Sequence, residues 1–236
     1  MASATQYNTG SKAMQLGLSC AYPCLSASSL IPGMHTSHEQ SSATDSHNNL
    51  HLVWRPAGYI EYRFRAPNGS WSTPVRLGNN ENSNYNVPTF ITVGADDTLH
   101  VVWSYWNSTS LVTKYTQKPP NGNWSTPVTV STTAGFAGNL FADDGGQVYV
   151  VYLDTNMKRS KNDSWSAEIL FARDENSLVS SVSDIGPDGV VHFFWADRDT
   201  LVYPPLDRFY HRELLPDGTC LSKKKSFPER PRLVRG

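Results

Sequence analysis

The sequence predicts an all-β fold made of four repeats, because one short apolar motif recurs at nearly constant spacing. The motif reads HLVW at His51–Trp54, HVVW at His100–Trp103, YVVY at Tyr149–Tyr152 and HFFW at His192–Trp195. The aromatic residues that close these motifs are separated by 49, 49 and 43 residues. A period in this range with strand-like content is typical of β-propellers and related arrays, in which each repeat forms one four-stranded blade.

The second repeat shows most clearly how a unit divides into strands. Four segments rich in β-branched and aromatic residues alternate with turns rich in Asn, Gly, Pro and Asp, which is the pattern of short strands. The second segment is apolar on both faces and therefore suits a sheet covered on both sides. The four predicted strands are Thr89–Val93, Leu99–Ser104, Leu111–Gln117 and Trp124–Val130.

The other repeats follow the same order along the chain. In the first repeat we predict strands at 41–46, Leu50–Arg55, Tyr59–Arg65 and Trp71–Leu77. The third repeat runs from about residue 139 to 171, and the fourth begins near 180 and fades after Cys220. We therefore divide the chain into an irregular or disordered N-terminal segment (1–40), the repeats (41–224) and a basic C-terminal tail (225–236).

A second motif lies at the turn into the last strand of each repeat. It reads NGSWSTPV at Asn68–Val75 and NGNWSTPV at Asn121–Val128, with weaker copies at Asn162–Ile169 (NDSWSAEI) and Asp217–Lys224 (DGTCLSKK). Together with the apolar motifs, these turns resemble the repeats of the BNR, or sialidase-like, β-propeller superfamily, whose Asp box reads S-x-D-x-G-x-x-W. The box is degenerate here. The resemblance covers residues 41–224 and implies a propeller fold and an extracellular location.

Propellers of the family that this sequence resembles usually have six blades, whereas four repeats are recognisable here. Three arrangements stay open: a closed four-bladed ring, a five-bladed ring that uses the N-terminal segment, and a fragment of a larger propeller. In the last case the open edges would need covering by another chain, which includes assembly into a homo-oligomer.

Composition excludes several classes of partner. The net charge is −1 and only 17% of the residues are charged, so nucleic acids and anionic membranes are not expected partners. No apolar run reaches the length that a transmembrane helix needs. Cys20 and Cys24 lack a second pair of ligands at zinc-like spacing, and we predict no metal site and no cofactor.

Residues suited to sugar recognition are predicted to gather on one edge of the array, where the second strands lead into the third and one blade leads into the next. Amides, carboxylates and guanidinium groups can bind hydroxyls, and aromatic rings can stack on the apolar face of a sugar. The alternative is that these are ordinary polar loop residues. The candidate ligand-binding residues are Arg55, Tyr85, Tyr105, Trp106, Asp154, Arg173, Asp174, Asp197 and Arg198.

Three functional hypotheses follow. The leading one is a non-catalytic propeller that binds a glycan or another protein chain. The second is an exo-sialidase or a related glycoside hydrolase, and the third is a structural propeller that mediates protein–protein contact. The F/Y-R-I-P sequence that sialidases carry is absent, so no catalytic residue is assigned and the balance favours a protein without catalysis.

The repeated histidines, His51, His100 and His192, occupy equivalent strand positions. Regular recurrence at one position favours a packing role, and the replacement by Tyr149 in the third repeat argues against a ring of metal ligands.

Overall fold

The computed structural model describes residues 40–56, 58–79, 88–133, 135–152, 156–161, 164–170, 177–199, 206–221 and 224–225. This part of the chain is all-β, and its strands form four separate antiparallel sheets in sequence order. Each sheet is one blade of a β-propeller, which confirms the fold class predicted from the repeats. Among these residues no helix is long and apolar enough to cross a membrane.

Each blade contains its strands in the order in which they occur along the chain. Blade 1 consists of β1 (Gln40–Thr44), β2 (Leu50–Trp54), β3 (Tyr59–Arg65) and β4 (Val75–Asn79). Blade 2 consists of β5 (Thr89–Val93), β6 (Leu99–Trp106), β7 (Leu111–Lys118) and β8 (Val128–Ser131). In blade 3 the last strand is split in two, and the strands are β9 (Ala137–Ala142), β10 (Val148–Tyr152), β11 (Asn156–Lys161), β12 (Ser164–Trp165) and β13 (Ile169–Leu170). Blade 4 consists of β14 (Ser177–Ile185), β15 (Val191–Asp199), β16 (Leu206–Leu214) and β17 (Lys224–Lys225).

Consecutive blades stack face to face through three apolar clusters. The cluster between blades 1 and 2 includes Val53 and Val101, and the next one joins Val102 of blade 2 to Val150 of blade 3. The third cluster joins Phe141 of blade 3 to blade 4. The first strands lie side by side in the series β1, β5, β9 and β14, so they form the innermost layer of the array.

The closing aromatic residues of the four repeats are almost fully buried, as the sequence predicts. Trp54 and Trp103 are each 1% exposed, Tyr152 is 0% exposed and Trp195 is 2% exposed. The indole of Trp103 lies over Gly78 of blade 1, where a Cβ would come within 2.5 Å of its Cζ2 atom. Blades 1 and 2 therefore pack closely at this point because β4 has no side chain there.

The box turns of blades 1, 2 and 4 share one backbone hydrogen bond. In each, an N–H donates to the carbonyl three residues before it, from Gly69 to Ala66, from Gly122 to Pro119 and from Gly218 to Leu215. The tryptophans that follow two of the box turns contact the preceding blade: Trp124 meets the ring of Tyr62 edge-on at 4.9 Å, and Trp165 meets Tyr115 at 5.1 Å. The box motif thus helps to hold neighbouring blades together.

Some strand boundaries differ from those predicted. The last strands begin at Val75 and Val128, not at the box tryptophans, because Pro74 and Pro127 lack the N–H that a ladder needs. Trp71 forms only an isolated bridge with Arg65.

The last box position also departs from expectation. Cys220 stands where the other boxes have tryptophan, and a semi-buried thiol would be expected there. The structure leaves Cys220 exposed and free.

Candidate functional site

The array has two edges, and they differ in regularity. We call the edge that carries the box turns and the turns between first and second strands the turn edge. Its first-to-second turns repeat one pattern, in which the carbonyls of Asp45, Gly94, Asp143 and Gly186 each accept an N–H from three residues further on. The first-to-second turn of every blade therefore has the same backbone hydrogen bond, whatever its side chains.

The opposite edge, where second strands lead into third strands, is irregular. We call it the hairpin edge. In blades 1 and 3 the second strand ends at its closing aromatic residue, Trp54 or Tyr152. In blades 2 and 4 the second strand continues to Trp106 and Asp199 respectively, beyond Trp103 and Trp195. Two hairpins therefore extend past their neighbours.

The extension corrects one expectation from the sequence. Tyr105 and Trp106, together with Asp197 and Arg198, belong to strands and not to loops. Trp106 pairs with Leu111 across the β6–β7 hairpin, and Arg198 pairs with Asp207 across the β15–β16 hairpin. Counted from the closing aromatic, Trp106 and Arg198 occupy the same position in blades 2 and 4, as do Tyr105 and Asp197.

Of the two aromatic candidates that the structure describes, Trp106 is more exposed than Tyr105. Trp106 is 39% exposed at the end of β6. The following turn is ordered by Asn107, whose Oδ1 accepts hydrogen bonds from the Thr109 N–H at 3.1 Å and the Ser110 N–H at 2.8 Å. The indole thus lies at a strand end that is paired with β7 and followed by an ordered turn.

The other candidates fall into three groups. Tyr105 is half-buried and packs against the cluster between blades 1 and 2, and Arg55 is half-buried directly after β2. For Asp197 and Arg198 the structure gives the backbone position only. The remaining candidates, Tyr85, Asp154, Arg173 and Asp174, lie outside the described residues.

A polar network that the sequence analysis did not find begins at Ser104, two residues before Trp106. The buried Ser104 hydroxyl is 3.0 Å from the Thr113 hydroxyl and accepts the Ala137 N–H of blade 3 at 3.1 Å. Nearby, Glu168 of blade 3 accepts hydrogen bonds from Ser131 at 3.1 Å and Thr133 at 2.8 Å. The sequence feature that could have indicated this network is the NDSWSAEI copy of the box motif, in which Glu168 replaces the proline.

The repeated histidines of blades 1 and 2 have the expected packing role. His51 Nδ1 lies 2.8 Å from the Tyr62 hydroxyl, and His100 Nδ1 lies 2.7 Å from the Tyr115 hydroxyl. Burial lowers the pKa of His100 to about 4, against a weaker opposing effect of Asp96. Burial also lowers the pKa of His51, although its hydrogen bond to Asp45 opposes the shift. Both imidazoles are therefore neutral at pH 7.

Blade 4 differs from blades 1 and 2 around its repeated histidine. His192 is the repeated histidine, but His211 stands where the other two blades have tyrosine, and Glu213 follows two residues later. The Nδ1 atom of His192 is 3.1 Å from Nε2 of His211, and each nitrogen is 3.8 Å from Oε1 of Glu213. Their ligand atoms thus form a compact triangle.

The fold and the two edges define the class of protein: a β-propeller with an irregular hairpin edge. No protein-family model matches the sequence. No curated protein matches it either.

The structure is similar to several solved structures at low sequence identity. The GH43 BlXynB protein from Bacillus licheniformis is 12% identical with a TM-score of 0.49, over 83% of this chain and 44% of that protein. An endo-arabinase from Bacteroides thetaiotaomicron is 9% identical with a TM-score of 0.44, over 79% of this chain and 78% of that one. The alpha-L-arabinofuranosidase PaAbf62A from Podospora anserina is 14% identical with a TM-score of 0.39, over 74% of this chain and 70% of that one. The chain thus spans less than half the length of the first of these proteins.

Proposed function

We propose that this chain is a non-catalytic, carbohydrate-binding β-propeller whose ligand lies on the hairpin edge beside Trp106. The observation that carries the proposal is the extension of two hairpins past their neighbours. One extended strand presents an aromatic ring, and the other places an acidic and a basic residue, Asp197 and Arg198, at the equivalent positions. Aromatic rings that stack on a sugar and polar groups that bind its hydroxyls are the two kinds of residue that sugar recognition uses.

The exposure of Trp106 supports a binding role over a packing role. The four closing aromatic residues are at most 2% exposed, whereas Trp106, three residues beyond Trp103, is 39% exposed. Because Asn107 fixes the turn that follows Trp106, little backbone freedom of this turn would be lost when a ligand stacks on the ring.

The likeness of the box turns to BNR repeats supports the same reading, since that family includes sugar-binding propellers. Because the resemblance to this family also implies an extracellular location, we include that location in the proposal.

A glycan array with the full chain tests the proposal, followed by affinity measurements on the best glycan. Trp106→Ala should weaken binding by about 1 kcal/mol or more, which is roughly fivefold in the dissociation constant, because an aromatic contact is lost. The matched control is Asn121→Ala, an exposed residue on the turn edge, which should bind as the unaltered chain does.

Other results would replace the proposal. Loss of binding in Asn121→Ala with unchanged affinity in Trp106→Ala would place the site on the turn edge. Absence of any glycan ligand would favour a propeller that binds another protein chain. Turnover of fluorogenic glycosides, abolished by Asp197→Asn and by Arg198→Ala, would make the protein a glycoside hydrolase.

A further inference from the structure

We propose that His192, His211 and Glu213 form a binding site for a divalent transition-metal ion of the zinc type, on the face of blade 4 opposite the one that packs against blade 3. The site lies on the adjacent strands β15 and β16. It is separate from the hairpin edge and does not depend on sugar binding.

The spacing of the three ligand atoms fits a tetrahedral ion. Two imidazole nitrogens bound to tetrahedral zinc at about 2.0–2.1 Å lie about 3.3 Å apart. The observed separations are 3.1 Å between the two nitrogens and 3.8 Å from each nitrogen to the carboxylate oxygen. An ion placed among them would therefore need only small side-chain movements.

The chemistry of the ligand set selects the class of ion. Two imidazoles and one carboxylate suit zinc and its neighbours in the transition series, whereas magnesium and calcium prefer oxygen ligands alone. Both histidines can offer the facing nitrogen to a metal if the proton resides on the other ring nitrogen. Without metal, one of the facing nitrogens instead donates its proton to the other at 3.1 Å.

Neighbouring contacts orient the site. The ring of Phe194 stacks on His211 with centroids 4.3 Å apart and planes within 12°. The side chains of His192, His211 and Glu213 are 31%, 17% and 22% exposed, so an ion can enter while the ligands stay partly shielded. Three protein ligands leave a fourth coordination position for water or another donor.

Comparison among the blades shows that this set is specific to blade 4. The same three positions hold His51, Tyr62 and Phe64 in blade 1. In blade 2 they hold His100, Tyr115 and Gln117. Only in blade 4, among the blades whose side chains the structure describes at these positions, are all three residues metal ligands by type.

This comparison provides a matched variant. The double substitution His211→Tyr with Glu213→Gln gives blade 4 the residues that blade 2 carries at the same positions, so the variant should fold while losing two ligands. A single substitution, Glu213→Gln, keeps both histidines and should weaken the affinity about tenfold or more.

The test is calorimetric titration of the full chain with zinc chloride. We expect one zinc ion per chain with saturable heat, a rise in the melting temperature with zinc, and neither effect with magnesium or calcium. The double variant should show neither effect. A control chain with Cys20→Ser, Cys24→Ser and His47→Ala should bind as the unaltered chain does, because those residues lie outside the triangle.

Two results would overturn the proposal. One is an unaltered chain that takes up no zinc, in which case the two histidines form only a hydrogen-bonded pair. The other is a folded double variant, verified by circular dichroism, that binds zinc as tightly as the unaltered chain. If the double variant does not fold, the Glu213→Gln variant and the control chain provide the test. Unchanged zinc affinity in Glu213→Gln, together with loss of zinc binding in the control chain, would show that zinc does not bind at the triangle.

Discussion

At the scale of single residues, the histidine of the repeated motif acts through burial. His100 is 5% exposed and hydrogen-bonded to Tyr115, whose hydroxyl also donates to Gln117 at 2.9 Å. A neutral imidazole completes this network without placing a charge between two blades, where desolvation would be costly. The recurrence of histidine in the motif thus has a structural explanation in blades 1 and 2.

The burial of His100 predicts that acid destabilises the fold. The pKa of His100 is about 4 in the native chain and about 6.5 in the unfolded chain, so only the unfolded chain binds the proton between these values. The stabilising contribution is therefore present above about pH 6.5 and is lost as the pH falls towards 4. The loss should amount to about 2–3 kcal/mol of the free energy of unfolding.

Urea unfolding at a series of pH values between about 7 and 4.5 measures this effect. His100→Gln keeps a polar side chain that does not titrate, so its stability should fall less steeply over the same interval. An identical slope in the variant and the unaltered chain would show that His100 is not a buried neutral imidazole.

At the scale of strands and blades, close packing depends on small residues that face large ones. Gly78 in β4 faces the indole of Trp103 in β6, and the closing aromatic residue can be buried between blades because no Cβ intervenes. Tyr62 and Trp124 add an edge-to-face contact to the same pair of blades.

Gly78→Ala should therefore destabilise the protein. Its Cβ would lie 2.5 Å from Trp103 Cζ2, so the strand or the ring must move. We expect a loss of about 1–3 kcal/mol in the free energy of unfolding, as overpacked cores show. Trp103→Phe removes the atom that clashes, so the cost of Gly78→Ala should be smaller in that background.

A matched control for Gly78→Ala is Gly145→Ala. The new Cβ of that variant would meet only the Asp143 carboxylate, at 3.2 Å, in the turn between β9 and β10. Equal losses in the two variants, or simple additivity of Gly78→Ala with Trp103→Phe, would contradict the packing account.

The repeated elements were the predictable part of this fold. The closing aromatics follow from the apolar motifs alone, because the recurrence and spacing of the motif place them at one position of each second strand. The ends of β6 and β15 could not be predicted, since they depend on pairing with β7 and β16 and not on local composition. Trp106 was therefore identified as a candidate but assigned to a loop.

The triangle of His192, His211 and Glu213 could not be predicted from the sequence for a related reason. Only His192 belongs to a recognisable motif. The proximity of the other two depends on the register between β15 and β16, which opposes Glu213 to His192 and places His211 diagonally across from it. Register in a long hairpin is set by its turn and by both faces of the sheet.

At the scale of the whole molecule, the four blades form a series with two contrasting edges. The first-to-second turns share one backbone hydrogen bond in every blade, and the second strands alternate between short and extended along the chain. We propose that recognition belongs to the hairpin edge, where the extended second strands end.

Hydrogen–deuterium exchange with and without the glycan selected on the array tests that claim most directly. We expect slower exchange on binding in the two extended hairpins, within residues 104–111 and 194–199, with little change in the box turns at 66–72 and 119–125. Slower exchange in the box turns, with no change in the extended hairpins, would contradict it.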